Sequence, residues 1–346
     1  MIFSSERLRQ VAADILRAAG SALQEADIVA GHLVDANLCG HDSHGVGMLP
    51  AYVRFVGEGL LRPNVRPDLV RDDGSLLLYD GGRGYGQVAA REAMEETIGR
   101  CRERGLALMG LRNAFHIGRV GAYGEQSIAA GLVSLHFVSV VDHEPLVAPF
   151  GGRCGRYGTN PLCIAVPGSE KSGPLLLDMA TSKVPVGKVR VAMNRGNEVP
   201  VGLLDAEGKP SQDPAVLFSE PRGALMPFGE HKGYGLGLLC EVLAGALTGG
   251  GTIQPEHPRL GGIVNHMLTI LLDPGRFGER PAMEQEIEAL VDYIRETAPA
   301  DPGVSVMVPG DPERRHRRQR QEAGIDIDEL TWKEIAEAAH TVGLDL

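Results

Sequence analysis

Residues 75–113 read SLLLYD GGRGYG QVAAREAMEETIGRCRERG LALMGLRN and decide the fold class of this chain. The pattern predicts a strand, a glycine-rich loop at 81–86, a helix and a second strand. This order imitates the first βαβ unit of a Rossmann fold. The fingerprint fails, because the glycines are spaced G-x-G-x-G and no acidic residue closes the second strand about 20 residues further on. The residues therefore predict an α/β protein and argue against a Rossmann fold.

Both ends of the chain have helical patterns. The first 40 residues predict two helices that are separated at Gly20. Thr331 and Glu334 have the spacing of a capping box, which predicts the start of a last helix. We therefore expect the two ends to combine into one helical domain.

The stretch at 60–74, LLRPNVRPDLVRDDG, is rich in proline and charge, which is typical of a boundary between domains. We place the boundary near residue 70. The helical domain then consists of residues 1–70 and 300–346, and residues 71–299 form the α/β domain.

Composition describes an acidic protein and narrows the possible partners. The 346 residues include 34 Lys and Arg against 45 Asp and Glu, a formal net charge of −11, so we expect no nucleic-acid partner. The N-terminus lacks an export pattern, and no apolar stretch suffices for a bilayer, so we expect no membrane association. The 5 cysteines are odd in number and scattered, which favours reduced thiols in a cytoplasm.

The densest group of reactive side chains lies at 39–45, CGHDSHG, with Tyr52 shortly after it. Ser43 or Asp42 could orient His44 as a general acid–base. His41, Asp42 and His44 could instead bind a metal, which would make the chain a hydrolase or a lyase. Residues of these types also cap helices, so the sequence alone leaves three interpretations open.

A second group follows the strand that ends near residue 113. His116, Gly118 and Arg119 stand on a glycine-containing turn that leads into a helix, where backbone N–H groups can face an anion. His116 is a candidate proton donor, and Arg119 could bind a carboxylate through two hydrogen bonds. The alternative is an ordinary capped helix start.

Glycine is over-represented, with 46 of 346 residues and no repeat, so the glycines must belong to turns and close approaches. Two turn segments combine small and polar residues that would let backbone approach a ribose or a phosphate: Thr159 with Asn160, and Asp178 to Ser182. Lys232 and Gly233 open a helix, where a lysine is unfavourable unless an anion binds there.

Taken in order, these motifs resemble the malate/L-lactate dehydrogenase-like family of nicotinamide-dependent 2-hydroxyacid oxidoreductases. The motifs are HDSHGVGMLPAY, HIGRVGAY, VAPFGG, YGTNP, LDMATS, FGEHKGYGL and PGDPE. The resemblance implies a mixed-sheet cofactor domain that is not a Rossmann fold, with a helical domain built from both chain ends. It also implies NAD or NADP as cofactor, a small 2-oxoacid or 2-hydroxyacid as substrate, and a homodimer.

The resemblance also implies roles for individual residues. His44 with Ser43 matches the acid–base pair of one branch, whereas in another branch His116 is the acid–base and Tyr52 helps to hold the substrate. We keep both histidines as candidates. The expected cofactor-binding residues are His116, Gly118, Arg119, Thr159, Asn160, Asp178, Met179, Ala180, Thr181, Lys232, Gly233, Gly310 and Asp311.

Two positions depart from the family pattern. Many relatives have an arginine, thought to hold the substrate carboxylate, where this chain has Met48. We expect Arg119 to replace that cation, or the substrate to be bulkier and more apolar, as aromatic 2-oxoacids are. Lys188 stands where the imine-reducing branch has an acid, which argues against a cyclic-imine substrate.

Overall fold

The computed structural model describes residues 1–194 and 196–346, in which helices and strands alternate. The strands are β1 Ile2–Phe3, β2 Asp68–Asp72, β3 Leu76–Asp80, β4 Leu106–Phe115, β5 Val133–Val141, β6 Leu162–Val166, β7 Leu175–Met179, β8 Leu203–Leu204, β9 Pro210–Ser211, β10 Ala224–Leu225, β11 Val264–Leu272 and β12 Ile325–Asp326. The helices are α1 Ser5–Ala18, α2 Leu23–Leu38, α3 Leu49–Gly57, α4 Gly86–Arg104, α5 Gly121–Ala129, α6 Val186–Asn194, α7 His231–Cys240, α8 Arg280–Arg295, α9 Asp311–Ala323 and α10 Glu329–Thr341. A π-helix at Glu241–Ala246 continues α7.

A seven-stranded sheet in the order β2, β3, β4, β11, β5, β6, β7 forms the centre of the protein. The segment 75–113 forms the β3, α4, β4 unit that its pattern predicts, and β3 runs parallel to β4. Every other neighbouring pair in this sheet is antiparallel. A Rossmann sheet is parallel, so the prediction of a mixed α/β fold outside the Rossmann class is confirmed.

The two chain ends share one hydrophobic core. Side chains of α1, α2 and α3 pack with Ile325, Ile327 and Ile335 near the C-terminus. The short strand β1 also pairs with β12. Tyr85 and Phe115, which belong to the sheet side, enter the same core. The division at residue 70 stays a prediction, and residue 70 itself lies inside β2, an edge strand of the large sheet.

The topology gathers several strand ends at one edge of the sheet. Because β11 is antiparallel to both β4 and β5, and β7 runs in the direction of β5, the carboxyl ends of β3, β4, β5 and β7 share that edge. Loops at such an edge commonly carry binding groups on a rigid scaffold. His116 follows β4 there, and Asp178 lies near the end of β7.

Two local features differ from the sequence patterns. Helix α10 begins at Glu329, and Asp328 caps it by accepting the backbone N–H of Thr331, so the predicted start at Thr331 is too late. The glycine-containing apolar segment after residue 240 forms a π-helix. Within the described ranges, no helix has both the length and the apolar character that crossing a membrane requires.

Candidate active site

His116 lies at the centre of a buried set of hydrogen bonds. Its Nε2 is 3.1 Å from Nδ1 of His44, and its Nδ1 is 2.6 Å from the hydroxyl of Tyr52. The hydroxyl of Tyr52 also accepts a hydrogen bond of 2.6 Å from Nε2 of Gln87. We call these four residues the histidine chain. The structure therefore brings together both candidate acid–base residues, which are 72 positions apart in the sequence.

Helix α2 fixes the turn that carries His44. The side chain of Asn37 donates to the carboxylate of Asp42 at 2.7 Å and accepts the backbone N–H of Val46 at 2.9 Å. The turn Asp42–His44 is thus held on both sides, and the hydrogen bond to His116 orients the His44 ring. A fixed ring is what acid–base chemistry at a defined atom requires.

Gln87 sets the direction of the hydrogen bonds when its amide nitrogen faces the Tyr52 oxygen, the orientation in which its Oε1 is buried without a partner among the described residues. Because its amide donates to the Tyr52 oxygen, the Tyr52 proton is left to bond Nδ1 of His116. Neutral His116 then carries its proton on Nε2 and donates it to Nδ1 of His44. The proton of neutral His44 is therefore on Nε2, a nitrogen that makes no hydrogen bond within residues 1–194 and 196–346.

Burial keeps the histidine chain uncharged at neutral pH. It lowers the pKa of His44 to about 4, although the charge of Asp178 acts in the opposite direction. Burial also lowers the pKa of His116 well below its ordinary value, and the neighbouring His44 adds to the effect. The pKa of the Tyr52 hydroxyl is raised by burial as well. The chain can therefore offer an N–H group without holding a buried charge.

The start of α6, which carries Lys188, packs on Ser43. A Cβ atom added at Gly187 would collide with the side chain of Ser43, so the first turn of α6 packs directly on Ser43. Lys188 follows Gly187 and is exposed. Met48, in contrast, packs against the helical core. Lys188 is therefore a solvent-accessible cation on the helix turn that packs on Ser43, the residue before His44.

Arg119 does not have the surroundings that we expected. Its side chain is 1% exposed, and its Nη2 pairs with the carboxylates of Asp35 at 3.0 Å and Glu125 at 2.5 Å. Arg317 of α9 pairs with Asp35 as well, at 2.5 Å. We call these four residues the arginine cluster. Such burial leaves the guanidinium no surface for a substrate carboxylate, and the cluster instead ties together α2, α5 and α9.

Several expected cofactor residues surround the end of β7. Asp178 accepts the backbone N–H of Gly121 at 2.8 Å, and Met179 and Ala180 are partly exposed. The turn at Gly310 lies beside β7, since the backbone N–H of Leu176 bonds the carbonyl of Pro309. The segment before Lys232 reaches the same place, because Phe228 bonds the carbonyl of Thr181.

Lys232 supplies a donor of the kind that a dinucleotide needs. It is exposed in the first turn of α7, where the helix end already favours anions. Lys232 as a cation and the carboxylate of Asp178 as an acceptor are the kinds of group that a pyrophosphate and a ribose hydroxyl need.

Other expected cofactor residues have internal partners. Asn160 is fully buried and donates to Glu241 at 2.7 Å and to the carbonyl of Gly237. Thr181 is also buried and bonds the carbonyl of Thr159. Asp311 pairs with Arg295 and Arg314. Gly118 has a positive φ and packs on His32, and Gly233 packs on the carbonyl of Phe228. These residues hold the site's framework together.

The metal-binding alternative has no support in this geometry. His41 points to Glu313 at 3.3 Å, Asp42 pairs with Arg320 at 2.6 Å, and His44 bonds His116. In the ranges that the structure describes, no group of three His, Cys, Asp or Glu side chains could hold a metal ion. His41, Asp42 and His44 therefore each bond a different residue and do not converge on one point.

Sequence reasoning missed Gln87, Asn37, Asp35 and Glu125. Gln87 follows the glycine loop that the Rossmann comparison rejected, and that loop was the only signal near it. Asn37, Asp35 and Glu125 lie on helices whose polar residues resemble an ordinary solvated face. Their partners are 5 to 282 positions away, which no local pattern can show.

Comparison with known proteins identifies the family of this chain. Residues 3–336 match the family model described as malate/L-lactate dehydrogenase. The chain is 44% identical to hydroxycarboxylate dehydrogenase B of Escherichia coli K12 over 99% of this chain and 94% of that protein. It is 41% identical to L-lactate dehydrogenase of Cupriavidus necator over 99% of this chain and 99% of that protein.

Solved structures give the same result. Sulfolactate dehydrogenase from Methanocaldococcus jannaschii superimposes with a TM-score of 0.85 at 32% identity, over 100% of this chain and 98% of that chain. The resemblance seen in the motifs is thereby confirmed. The chain belongs to the malate/L-lactate dehydrogenase family and is a 2-hydroxyacid dehydrogenase, for which membership implies a nicotinamide cofactor and a small 2-hydroxyacid substrate.

Proposed function

We propose that this dehydrogenase uses His44 to exchange a proton with the substrate oxygen, and that His116 and Tyr52 hold His44 in the required tautomer. The histidine chain is the observation that carries the proposal, because its bond directions leave His44 Nε2 as the free proton-bearing nitrogen. The bound nicotinamide supplies or accepts the hydride at carbon 2.

In the reductive direction, the Nε2–H group of His44 donates to the 2-oxo oxygen. It stabilises the negative charge as that charge develops. The proton that completes the 2-hydroxyacid comes from solvent: the partly exposed His44 takes up a proton to become an imidazolium, delivers one proton to the alkoxide and returns to the neutral ring. Tyr52 and Gln87 are buried and act by orienting His116.

We propose NAD as the cofactor, with NADP as an alternative. Lys232 would bind the pyrophosphate, and Asp178 would bind a ribose hydroxyl near the end of β7. Replacing Lys232 with alanine should raise KM for the reduced cofactor about tenfold, because one charge-assisted contact is lost. Initial rates with NADH and NADPH over a concentration series test both the residue and the choice of cofactor.

We propose Lys188 as the cation that binds the substrate carboxylate. It is exposed beside Ser43, whereas Arg119 is enclosed by Asp35 and Glu125. Lys188→Ala should raise KM for the 2-oxoacid about tenfold and change kcat much less. An unchanged KM would exclude this assignment. Lys183→Ala, on the preceding exposed lysine, is the matched control.

The substrate range that we propose includes aromatic 2-oxoacids. Met48 removes a charge from the place where relatives are thought to bind a carboxylate, which favours a larger apolar group. A panel of pyruvate, glyoxylate, oxaloacetate, phenylpyruvate and hydroxyphenylpyruvate, each with both cofactors, tests this range. Activity with phenylpyruvate below the detection limit, alongside turnover of pyruvate, would contradict it.

We propose a homodimer. Leu238, Leu239, Val242 and Leu247 are exposed along α7 and the π-helix, with Leu239 at 55% and Leu247 at 66%. An apolar stripe of this kind typically lies in a protein interface. Light scattering after size exclusion should give twice the chain mass of 36.9 kDa, and Leu239→Asp should shift the mass toward the monomer. We also propose a cytoplasmic location, which the 5 free cysteines support.

A further inference from the structure

One face of helix α9 lies against the chain segment that leads into the turn of His44. The helix carries the charged run at 313–320, ERRHRRQR. Residues at the spacing i, i+3, i+4 and i+7 share one face of a helix. Side chains of the run at this spacing contact residues 35–42, and they are Glu313, His316, Arg317 and Arg320. This face of α9 is therefore a contact surface.

Arg320 makes the contact that lies nearest to His44 in the sequence. Its Nη1 and Nη2 donate to the two carboxylate oxygens of Asp42 at 2.6 and 2.9 Å. Its Nη1 also donates to the backbone carbonyl of Asn37. Paired hydrogen bonds between a guanidinium and a carboxylate fix the relative direction of the two groups as well as their distance. Arg320 therefore holds Asp42 in a defined position against the end of α2.

Asp42 transmits this constraint to the whole turn. It is the first residue of the turn Asp42–His44, and its carbonyl accepts the backbone N–H of Gly45 at 3.1 Å. The backbone N–H of His44 bonds the carbonyl of His41 at 2.9 Å. These bonds make the turn a compact unit, so a displacement of Asp42 would displace His44 with it.

Two further residues of the same helix face support this turn. Oε1 of Glu313 is 3.3 Å from Nε2 of His41. A Cβ atom at Gly40 would lie 2.8 Å from Nδ1 of His316, so the ring packs directly on the backbone there. Gly40 also has a φ of +82°, which glycine adopts without strain. Helix α9 thus contacts three consecutive residues, 40 to 42, just before His44.

The other end of α9 is attached to the large sheet. Nη1 of Arg314 donates to the carbonyl of Pro174 at 2.8 Å, one residue before β7. Nη2 of Arg314 donates to the carboxylate of Asp311, the first residue of the helix, at 2.7 Å. The same sheet carries His116 directly after β4. Helix α9 therefore fixes the turn Asp42–His44 relative to the sheet that carries its catalytic partner.

We propose that Arg320 is a positioning residue of this enzyme, which acts through Asp42 to hold the ring of His44 at hydrogen-bonding distance from His116. This role of Arg320 rests on the proposed acid–base role of His44. The bond between the two rings is 3.1 Å long, and a misplacement of about 1 Å at a reacting group can lower a rate about 10²-fold. Without the guanidinium, the side chain of Asn37 alone would hold the Asp42 carboxylate.

A double-mutant cycle on Arg320 and His44 tests this role. Arg320→Gln should lower kcat about tenfold at saturating cofactor and 2-oxoacid and leave KM for the reduced cofactor unchanged, because only the His44 ring is displaced. In the His44→Gln background the same substitution should change kcat less than about twofold, because no acid–base ring is left to position. Arg320→Lys keeps the charge but loses the paired bonds, so its kcat should lie between those of Arg320→Gln and the wild type.

Arg318→Gln is the matched control, because Arg318 lies on the same helix two positions before Arg320 and so on another face. Arg318 is exposed and makes no ion pair or hydrogen bond within the described ranges. Its replacement removes the same charge from α9 without touching Asp42. Arg318→Gln should therefore keep the kcat of the wild type.

Thermal unfolding separates positioning from stability. Any loss of stability through Arg320→Gln should be the same in both backgrounds, whereas the loss of kcat should occur only where His44 is present. The role of Arg320 is overturned if Arg320→Gln keeps kcat within about twofold of the wild type, or lowers it equally in both backgrounds. If His44→Gln itself lowers kcat less than about tenfold, the acid–base role of His44 fails, and the role of Arg320 fails with it.

Discussion

The histidine chain and the arginine cluster begin three positions apart, at His116 and Arg119, yet they have opposite electrostatic character. The histidine chain is neutral, because burial depresses the pKa of both rings. The arginine cluster consists of ion pairs that join three helices. One glycine-containing turn therefore supplies one side chain suited to proton transfer and another suited to holding the chain together.

The largest expected effect is on catalysis by the histidine chain. His44→Ala should lower kcat by about 10²–10⁴, because general acid–base catalysis contributes about that factor. Cofactor affinity and thermal stability should change little by comparison. Steady-state kinetics and cofactor titration provide the measurement. His340→Ala is the matched control, since the His340 side chain is 82% exposed. A decrease in kcat of less than tenfold in His44→Ala would exclude His44 as the acid–base residue.

The next effect is on stability through the arginine cluster. Arg119→Met removes the buried cation that Asp35 and Glu125 share and leaves Arg317 as their remaining partner, so it should lower the free energy of unfolding by about 3 kcal/mol. Arg71→Gln, which removes an exposed pair with Asp73, should stay within about 0.5 kcal/mol of the wild type. Urea denaturation measures both values. Unchanged stability of Arg119→Met, together with a raised KM for the 2-oxoacid, would return Arg119 to substrate binding.

The two regions should also differ in how their stability depends on pH. Burial lowers the pKa of His44 from an ordinary value of 6.5 to about 4, so the unfolded chain binds more protons below pH 6.5. Stability therefore falls as the pH drops from 6.5 toward 4, by about 1.4 kcal/mol per pH unit for this one group. His44→Gln should flatten the dependence by that amount. If the free energy of unfolding depended on pH equally in the wild type and in His44→Gln, folding would not lower the pKa of His44.

The arginine cluster should resist the same change. Burial of Asp35 opposes its ionisation, but Arg317 and Arg119 outweigh burial and keep the pKa of Asp35 below its ordinary value of 3.8. Its contribution is thus present above pH 3.8 and is lost only as the pH falls further. The free energy of unfolding of Asp35→Asn should differ from that of the wild type by the same amount at pH 5 and at pH 7. A smaller difference at pH 5 than at pH 7 would contradict the lowered pKa of Asp35.

The smallest expected effect concerns Gln87. Gln87→Leu removes the donor that sets the direction of the Tyr52 proton, so His116 can take either tautomer. We expect kcat to fall about fivefold, equivalent to one buried hydrogen bond, with KM unchanged. Gln10→Leu, on the exposed face of α1, is the control. A change in KM without a change in kcat would show that Gln87 acts on substrate binding instead.

Much of the fold could be predicted from local pattern. The β3, α4, β4 unit follows from apolar runs and glycines that are contiguous in sequence, and its parallel pairing follows from the connecting helix. The position of β11 between β4 and β5 could not be predicted in this way, because its partners lie more than 120 residues earlier. The strand propensity of a segment predicts that it forms a strand, but it does not show which other strand pairs with it.

The candidate site divides in the same way. His44, His116 and Tyr52 could be named from residue type, whereas their contact depends on α3 packing beside the end of β4. Arg119 was misjudged because a sequence does not show that α2 and α5 supply two carboxylates to it. Gly118 and Gly233, which we expected in the cofactor site, pack closely on other parts of the chain, Gly118 on the His32 ring and Gly233 on the Phe228 carbonyl.

A double-mutant cycle on His44 and His116 tests the central claim most directly. If the two rings act as one chain, the variant with both alanines should lose no more kcat than the more damaging single variant, because residues that act as a unit are not additive. We predict a double variant within about threefold of that single variant at saturating cofactor and 2-oxoacid. Losses that multiply would mean that the two histidines act independently, and they would contradict the histidine chain as the acid–base device of this enzyme.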